Sequence, residues 1–490
     1  MENRTSNIVN IEWTPDKASN IPIFKQIVNY ISNKISKGDW LIGNKLPSQR
    51  ELAKMFDVNR STIVAALEEL TSLGILEGKS GHGTTIVNNT WSLLLSTSPP
   101  NWQHYIDSSI HKSNSVTIQT INKMEFVDGI TRLGTCELSP NLFPRGMMDK
   151  VLRKLPERAY DLNYLAPLGL LELRKVLSQY LTKYGIYVPP SCILIVSGSL
   201  QALQLISVCM LRPGSTVFVE SPSYLNSLHI FQSAGMKLSG LPMDSSGITP
   251  WALDRNRYLK ETPLLYTIPT FHNPTGIVMT EARRMELLDW CKNNRLPIIE
   301  DDAYRDLWID ELPPHPLKAH DKNGIVLYMG SISKSLAPGL RIGWLAGPES
   351  IVERLGDVKM QTDYGSSSLS QWALAELLES GLYDQHLLSL RKNLKERRDL
   401  VLHTLESHFK DIATWNVPAG GFYIWLKLNK NISTDRLFDL ALKEKLLITP
   451  GSIYDFSKNQ HIRISYSYAA PDELVKGLIK LSELIEKMYQ

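Results

Sequence analysis

The feature that most constrains the fold is a change of patterning near Glu125. From there to residue 490, short runs of Val, Ile and Leu alternate with segments of helical periodicity, which is typical of α/β domains with a largely parallel sheet. The residues directly before this change are rich in Ser, Thr and Asn with a Pro-Pro pair, as in linkers. The sequence therefore predicts an N-terminal domain over residues 1–88, a linker over residues 89–125 and an α/β domain over residues 126–490.

The composition excludes several classes of protein. Hydrophobic residues make up 43% of the 490 residues and charged residues 21%, as in ordinary globular domains and unlike disordered or collagen-like chains. There is no apolar run long enough to span a membrane, and residues 1–16 lack the basic and apolar regions of a secretory signal, so we expect a cytoplasmic protein. The net charge of +3 is too small to indicate nucleic-acid binding through the overall field, so any DNA contact must come from a local surface.

The cysteines predict neither a disulfide framework nor a metal site. They stand far apart without a C-x-x-C pair, a pattern that favours buried, reduced thiols with a structural role. These residues are Cys136, Cys192, Cys209 and Cys291.

Helix and turn signals in the first domain follow the order of a winged helix-turn-helix. Apolar residues recur at helical spacing after Pro22, which predicts a first helix. Ser48 and Glu51 form the S-x-x-E pattern of a capping box, so a second helix is expected to begin directly after Ser48. Asn59 can cap a third helix, and residues 75–87 have the pattern of a hairpin with a glycine-containing turn.

The third helix offers a polar surface suited to reading DNA. Its first turn presents Arg60, Ser61 and Thr62 outward, where a recognition helix meets base edges and phosphates. The candidates for contact with the DNA backbone are Arg50, Lys54, Lys79 and His82. The pattern alone leaves open a second interpretation, a small helical domain with a solvated face.

In the large domain, the most informative short segment places Lys334 between Ser331 and Arg341. A lysine among small hydroxyl residues suits a nucleophile that forms an aldimine with an aldehyde, while the arginine and the serine hydroxyl bind a phosphate. S-x-x-K is also the motif of penicillin-binding enzymes, which need K-T-G downstream. The nearest match, residues 79–81, lies upstream and disfavours that chemistry. A surface lysine is the other alternative, and the apolar neighbours argue against it.

Two segments that follow apolar strands offer groups for a cofactor that carries this aldehyde and phosphate. Ser199 follows Gly198 at the start of a helical pattern, where free amides and the helix dipole form an anion site. Asp301 follows the short strand of residues 296–299, and carboxylates at the carboxyl end of a parallel strand lie where ligands bind in α/β sheets. An aspartate there keeps a pyridine nitrogen protonated, which makes pyridoxal phosphate an electron sink.

Further residues suit the ring of the same cofactor. Asn273 offers an amide donor and Tyr304 a hydroxyl to a phenolic oxygen, and Tyr224 offers an aromatic face for stacking. Each has a structural interpretation when taken alone. Their joint occurrence in this order favours a pyridoxal phosphate site.

Two resemblances cover most of the chain. The segment LPSQRELAKMFDVNRSTIVAALEELTSLGILEGKSGHGTTIV, residues 46–87, resembles the head of GntR-type regulators. The order and spacing of motifs in residues 126–490 resemble the fold-type I, class I aminotransferases, which implies an α/β fold and a homodimer. That resemblance assigns cofactor binding to Tyr164, Ser199, Tyr224, Asn273, Asp301, Tyr304, Ser331, Lys334 and Arg341.

The resemblance also implies individual roles. Lys334 would form the internal aldimine, Asp301 would pair with the pyridine nitrogen, and Tyr224 would stack on the ring, so these three form the catalytic set. Tyr164 would reach the phosphate across the dimer interface. Arg463 would bind the α-carboxylate of a substrate or effector.

A GntR-like head joined by a linker to an aminotransferase-like body resembles the MocR/GabR family of bacterial transcription regulators. In that family the body binds pyridoxal phosphate and senses an amino compound, and the head binds promoter DNA. Residues 133–144 depart from the family's common Gly-x-Pro-Asp form, so the resemblance leaves the effector open. We therefore expect a regulator that senses an amino acid or amine through aldimine exchange at Lys334, with a working aminotransferase that carries a DNA-binding head as the alternative.

Overall fold

The chain folds as two units, residues 1–109 and residues 110–490, called here the head and the body. The computed structural model describes residues 9, 11–79, 83–88, 102–109, 114–158, 162–252, 262–455 and 460–490. None of the helices within these ranges is long and apolar enough to cross a membrane.

The head packs short helices against a small antiparallel sheet with strand order β1-β3-β2. Its elements are α1 (Ile23–Ser36), β1 (Lys45–Leu46), α2 (Gln49–Met55), α3 (Arg60–Ser72), β2 (Leu76–Lys79), β3 (Gly83–Ile86) and α4 (Trp102–Ser108). Ile31, Leu52 and Ile63, one from each of α1, α2 and α3, are buried in a shared core. This arrangement confirms the predicted winged helix-turn-helix.

Local capping explains where two helices of the head begin. The Ser48 side chain accepts a hydrogen bond from the Glu51 amide at 3.3 Å, and the Glu51 carboxylate accepts one from the Ser48 amide at 2.8 Å. This capping box confirms the predicted start of α2. Asn59 occupies the N-cap position of α3, but its side chain makes no capping hydrogen bond.

The body alternates strands and helices. Its helices are α5 (Val116–Met124), α6 (Arg145–Arg158), α7 (Leu171–Thr182), α8 (Ser199–Met210), α9 (Leu225–Ser233), α10 (Glu281–Asn293), α11 (Leu317–His320), α12 (Glu349–Thr362), α13 (Ser368–Glu379), α14 (Leu382–His408), α15 (Thr434–Lys443) and α16 (Pro471–Tyr489). Its strands are β4 (Thr131–Arg132), β5 (Ile193–Val196), β6 (Thr216–Ser221), β7 (Lys237–Asp244), β8 (Gly247–Ile248), β9 (Leu264–Thr267), β10 (Ile298–Asp301), β11 (Val326–Ser331), β12 (Gly343–Ala346), β13 (Ala413–Trp415), β14 (Tyr423–Leu428), β15 (Leu446–Leu447), β16 (Thr449–Pro450) and β17 (His461–Ser465).

The main sheet of the body has the strand order β5-β12-β11-β10-β9-β6-β7-β8. The central pairs from β11 to β7 are parallel, whereas β12 runs antiparallel between β11 and β5. This confirms the predicted α/β fold with a largely parallel sheet. Strand β12 begins at the edge of the sheet where β5 and β11 end. The residues just before β12 therefore lie close to the residues just after β5 and just after β11.

A second, antiparallel sheet has the order β13-β14-β17-β16, and β15 pairs in parallel with β4. Strand β17 therefore lies between two neighbours. Arg463, in its centre, is paired with Trp425 on β14 and with Thr449 on β16.

Candidate functional site

Several predicted residues meet at the edge of the main sheet where β5, β10 and β11 end. Asp301 is the last residue of β10, and Ser331 is the last residue of β11. Ser199 opens α8 shortly after β5, and Arg341 directly precedes the start of β12. The antiparallel insertion of β12 brings Arg341 to the edge at which the parallel strands end.

Gly198, Ser199 and Arg341 form a group that we call the anion cradle. Gly198 has φ 94°, and a Cβ built on it would lie 2.6 Å from Arg341 Nη2, so only glycine admits the guanidinium at this distance. Arg341 has a left-handed φ of 54° and donates from Nη2 to the Ser197 carbonyl at 2.7 Å. Together with the N-terminus of α8, this geometry suits a phosphate group.

Ser331 lies beside the anion cradle and is buried. Its hydroxyl lies 3.1 Å from the Ile342 carbonyl and 2.9 Å from the Ser333 hydroxyl, and it accepts a hydrogen bond from the Ser333 amide at 3.1 Å. These contacts anchor the turn between β11 and Lys334.

The Asp301 carboxylate is held by a tyrosine that sequence reasoning missed. The Tyr266 hydroxyl donates to Asp301 Oδ2 at 2.8 Å, and the Ala303 amide donates to Oδ1 at 3.2 Å. Burial raises the pKa of Asp301 to about 6, although both hydrogen bonds favour the ionised form. A protonated ring nitrogen beside Asp301 would stabilise the ionised form of this carboxylate.

Lys334 reaches across the site from the turn after β11. Its Nζ donates to the Cys136 carbonyl at 2.9 Å, and its charge favours the ionised form of Asp301. The lysine, the aspartate and the segment around Cys136 are therefore neighbours, although they are far apart in the sequence.

A chain of buried polar side chains, which we call the Arg463 cluster, lies next to them. Arg463 Nη1 donates to Asn273 Oδ1 at 2.8 Å, and Asn273 Nδ2 lies 3.4 Å from the Tyr304 hydroxyl. The Tyr304 and Tyr423 hydroxyls are 2.9 Å apart, and the guanidinium lies 4.1 Å from the centre of the Tyr423 ring. Arg463 Nη2 donates to the Gly134 carbonyl, but its buried Nε has no hydrogen-bond partner among the described residues. An incoming carboxylate could satisfy this donor.

The two other predicted cofactor residues, Tyr224 and Tyr164, differ in their position and exposure. Tyr224 is half-buried at the N-cap of α9, with its ring 6.4 Å from the Tyr454 ring. Tyr164 is 80% exposed and packs its ring against Tyr364 at 4.9 Å. The structure therefore places Tyr164 at the surface of this chain and Tyr224 near the Arg463 cluster, since the guanidinium also lies 4.9 Å from the Tyr454 ring centre.

The predicted DNA-binding residues lie mostly on the surface of the head. Arg50, Lys54, Arg60 and Ser61 are exposed and Thr62 is half-buried. Arg60 opens α3 and donates to the Gln49 side chain at 3.1 Å. The side chain of Lys79 and the whole of His82 lie outside the described residues.

The prediction for the cysteines was wrong in part. Only Cys291 is buried, whereas Cys136, Cys192 and Cys209 are partly exposed, and all four are free. Cys136 also belongs to the site, because the segment that carries it contacts both cations. The Cys136 carbonyl accepts from Lys334, and the Gly134 carbonyl accepts from Arg463. Wide spacing along the chain could not reveal such a contact.

Other members of the site also escaped sequence reasoning. Tyr266 and Tyr423 stand in apolar strands, where a tyrosine usually signals packing, and Tyr454 follows the short 3-10 helix Gly451–Ile453. Their hydroxyls gain a role only through contacts made across the fold. In the described part of the chain, no group of three or more His, Cys, Asp or Glu side chains is arranged to hold a metal ion.

Comparison with protein families gives two matches. Residues 137–480 match the model "Aminotransferase class I and II", and residues 24–86 match "Bacterial regulatory proteins, gntR family". The first match covers more than half of the chain.

Comparison with individual proteins gives full-length relatives. The chain is 51% identical over 97% of its length to the HTH-type transcriptional regulator YisV of Bacillus subtilis, of which the match covers 99%. It is 34% identical over 91% of its length to the HTH-type transcriptional regulator NorG of Staphylococcus aureus, all of which is covered.

Solved structures resemble the body. One is a kynurenine aminotransferase of Pyrococcus horikoshii in complex with PMP, at TM-score 0.73 and 31% identity over 78% of this chain and 96% of that one. Another is LysN, an α-aminoadipate aminotransferase of Thermus thermophilus bound to N-(5'-phosphopyridoxyl)-L-leucine, at TM-score 0.71 and 28% identity over 79% and 99%. The fold of the body is thus that of class I aminotransferases.

Proposed function

We propose a function from the premise that this chain belongs to the family of HTH-type transcriptional regulators, in which a gntR-type DNA-binding domain is joined to an aminotransferase class I and II domain. In this proposal it is a cytoplasmic regulator of the MocR/GabR type. The body binds pyridoxal phosphate and an amino acid or amine, and the head binds promoter DNA. The protein acts as a homodimer, in which the exposed Tyr164 reaches the partner's phosphate site.

The observation that carries the proposal is the fit of the site to pyridoxal phosphate. In the proposal, the anion cradle would hold the phosphate, Asp301 would hold a protonated pyridine nitrogen, and Lys334, whose Nζ donates to the Cys136 carbonyl, would take the aldehyde. Asn273 and Tyr304 supply donors for the phenolic oxygen. When bound, the cofactor supplies an aldehyde that a primary amine can capture.

The Arg463 cluster supports an amino acid as the effector. Its guanidinium is oriented by hydrogen bonds to the Asn273 side chain and the Gly134 carbonyl, and Nε is the donor left for a carboxylate. An effector amine would then displace Lys334 from the cofactor, while its carboxylate stays on Arg463. Release of the lysine amine is the event that we propose the body reports to the head.

A working aminotransferase is the second candidate, favoured by the completeness of the cofactor-facing residues and by the resemblance of the body to enzymes. The two candidates differ in product. A panel of amino acids and amines, followed by absorbance of the cofactor and by an assay for 2-oxo acids, separates them. Spectral change without keto-acid product supports sensing, and stoichiometric excess of product over protein supports turnover.

The cofactor test uses Lys334 and a matched lysine. Lys334 is half-buried, whereas Lys359 is buried, and burial lowers the pKa of Lys359 to about 8, so Lys359 is the control for a nucleophilic lysine outside the anion cradle. Borohydride reduction and peptide mapping should place the cofactor on Lys334, and Lys334→Ala should abolish the visible band. A label on Lys359, or on no lysine, contradicts the proposal.

The DNA test compares two exposed cations of the head. Arg60 opens the recognition helix, whereas Lys54 lies on α2. Arg60→Ala should lower discrimination between operator and random duplexes by roughly 1 to 3 kcal/mol, and Lys54→Ala should weaken both similarly and reduce the salt slope by about one unit. Binding titrations at several salt concentrations measure both. An absence of DNA affinity at low salt contradicts the regulator function and favours the aminotransferase.

A further inference from the structure

The residue after Lys334 is held by the long helix α14. Ser335 is buried, and its hydroxyl lies 2.6 Å from the Tyr383 hydroxyl. Its backbone carbonyl lies 2.8 Å from Nε2 of His386, which follows Tyr383 by three residues on α14. A carbonyl can only accept a hydrogen bond, so His386 carries its proton on Nε2 and donates here. The hydroxyl and the carbonyl of Ser335 are therefore both bound to one face of α14.

The Tyr383 hydroxyl also contacts a carboxylate. It donates to Oδ2 of Asp306 at 2.7 Å, and the Tyr180 hydroxyl on α7 donates to the same oxygen at 2.9 Å. The Tyr184 hydroxyl donates to Oδ1. We call Asp306 and these three tyrosines the Asp306 cluster, which joins α14 and the α7 region to the segment after β10.

The carboxylate sets the direction of these hydrogen bonds. An ionised carboxylate can only accept, so Tyr383 uses its one proton toward Asp306, and its oxygen is left to accept from the Ser335 hydroxyl. Burial and the negative charge of Asp306 raise the pKa of the three tyrosines well above the ordinary value, which keeps each phenol protonated and able to donate. The donors therefore run in one direction from Ser335 through Tyr383 to Asp306, a chain that we call the Ser335 clamp.

Helix α14 holds a second part of the candidate site. Arg391 Nε donates to the Asp306 carbonyl at 2.8 Å, so the backbone of Asp306 is bound to α14 as well as its side chain. Asp306 follows Asp301 by five residues on the segment that leaves β10. The same helix thus contacts the segment that carries Asp301 and the turn that carries Lys334, and it links the positions of the aspartate and the lysine.

We propose that Asp306 and Tyr383 are positioning residues for the Lys334 amine. This inference rests on the proposed function, in which the Lys334 nitrogen bonds to the aldehyde carbon of pyridoxal phosphate and the aldehyde oxygen leaves as water with both amine protons. The Ser335 clamp acts through the backbone, because it holds the residue next to the lysine. A well-positioned amine competes with free amines at a high effective concentration, and a displacement of its backbone lowers that concentration.

The experiment measures this effective concentration in the purified cofactor-bound protein. Ethylamine is added over a range of concentrations, borohydride then fixes the cofactor where it is bound, and mass spectrometry gives the fractions on Lys334 and on ethylamine. The readout is the ethylamine concentration that displaces half of the cofactor from Lys334. Tyr383→Phe should lower this concentration roughly fivefold, the scale of one hydrogen bond. A purely structural role would lower the amount of bound cofactor without changing this concentration.

Tyr180→Phe is the matched control. Tyr180 is buried like Tyr383 and donates to the same oxygen of Asp306, but this variant keeps the hydrogen bond between Tyr383 and Ser335. Its half-displacement concentration should equal that of the unmodified protein. An equal fall in both tyrosine variants, or no fall in Tyr383→Phe, would overturn the proposal.

Ser335→Ala breaks the clamp at its other end and decides the question if Tyr383→Phe does not hold the cofactor. The two single variants and the double variant should show the same fall, because each change removes the same hydrogen bond. An unchanged value in Ser335→Ala, or additive falls in the double variant, would refute the clamp. Failure of the proposed function is recognised separately, because borohydride would then place no cofactor on Lys334 of the unmodified protein even without ethylamine.

Discussion

The anion cradle and the Arg463 cluster hold their charged groups by different means. In the cradle, Arg341 is exposed and is positioned by its own backbone, by the Ser197 carbonyl and by the absence of a side chain at Gly198. In the cluster, Arg463 is buried and is positioned by side chains such as that of Asn273. Binding of an anion thus depends on local backbone conformation at one end of the site and on a long-range polar network at the other.

The largest effect is expected from Gly198→Ala. A methyl group there would meet Arg341 Nη2 at 2.6 Å, so the guanidinium must move, and cofactor affinity should fall roughly 100-fold or more. Equilibrium binding of pyridoxal phosphate measures the loss.

Gly214→Ala is the matched control for this change. Gly214 has φ 92°, close to the 94° of Gly198, but a Cβ on it meets nothing within 4 Å. Both variants place an alanine at a positive φ, which is strained, but only Gly198→Ala should lose cofactor. An equal loss of cofactor affinity in the two variants would show that the anion cradle does not bind the cofactor.

A smaller and selective effect is expected from Arg463→Ala. The variant should keep the cofactor but bind carboxylate-bearing amines more weakly by roughly 1.5 to 3 kcal/mol, the scale of a hydrogen bond to a charged group. Titration with L-alanine and with ethylamine, which lacks the carboxylate, measures the selectivity. A weaker response to both ligands would assign Arg463 a role in folding of the site instead.

The smallest effect is expected from Tyr423→Phe. Loss of the hydroxyl that lies 2.9 Å from the Tyr304 hydroxyl should lower the free energy of unfolding by about 1 kcal/mol and shift the absorbance maximum of the cofactor. Tyr466→Phe is the control, since the Tyr466 hydroxyl donates to the Gly421 carbonyl at 2.8 Å. The control should lose similar stability without a spectral shift, and a shift in both variants would argue against a specific role for Tyr423.

The same contrast explains what could be predicted from the sequence. Ser331, Lys334 and Arg341 lie within eleven residues of one another, and the capping box of Ser48 and Glu51 spans a single turn. Their spacing along the chain was therefore enough to predict these features. The α/β fold followed from alternation of strand and helix patterns, which is also a local signal.

The remaining contacts join distant segments. Arg463 meets Gly134 and Asn273 only because β17 and β4 are brought beside the main sheet. Tyr266 reaches Asp301 across two adjacent parallel strands, β9 and β10. Local pattern carries no information on such pairings, which is why Tyr266, Tyr423, Tyr454 and Cys136 were missed.

The position of Arg463 in the middle of β17 has a consequence for how this site can change over evolution. Successive side chains of a strand point to opposite faces, so a shift of β17 by one residue against Trp425 and Thr449 would turn the guanidinium away from Asn273. Neighbours on both sides resist such a slip. An insertion or deletion in this strand would therefore be expected to take Arg463 out of the site, whereas substitutions of side chains, or changes in the segment that carries Gly134 and Cys136, would leave the register of β17 as it is.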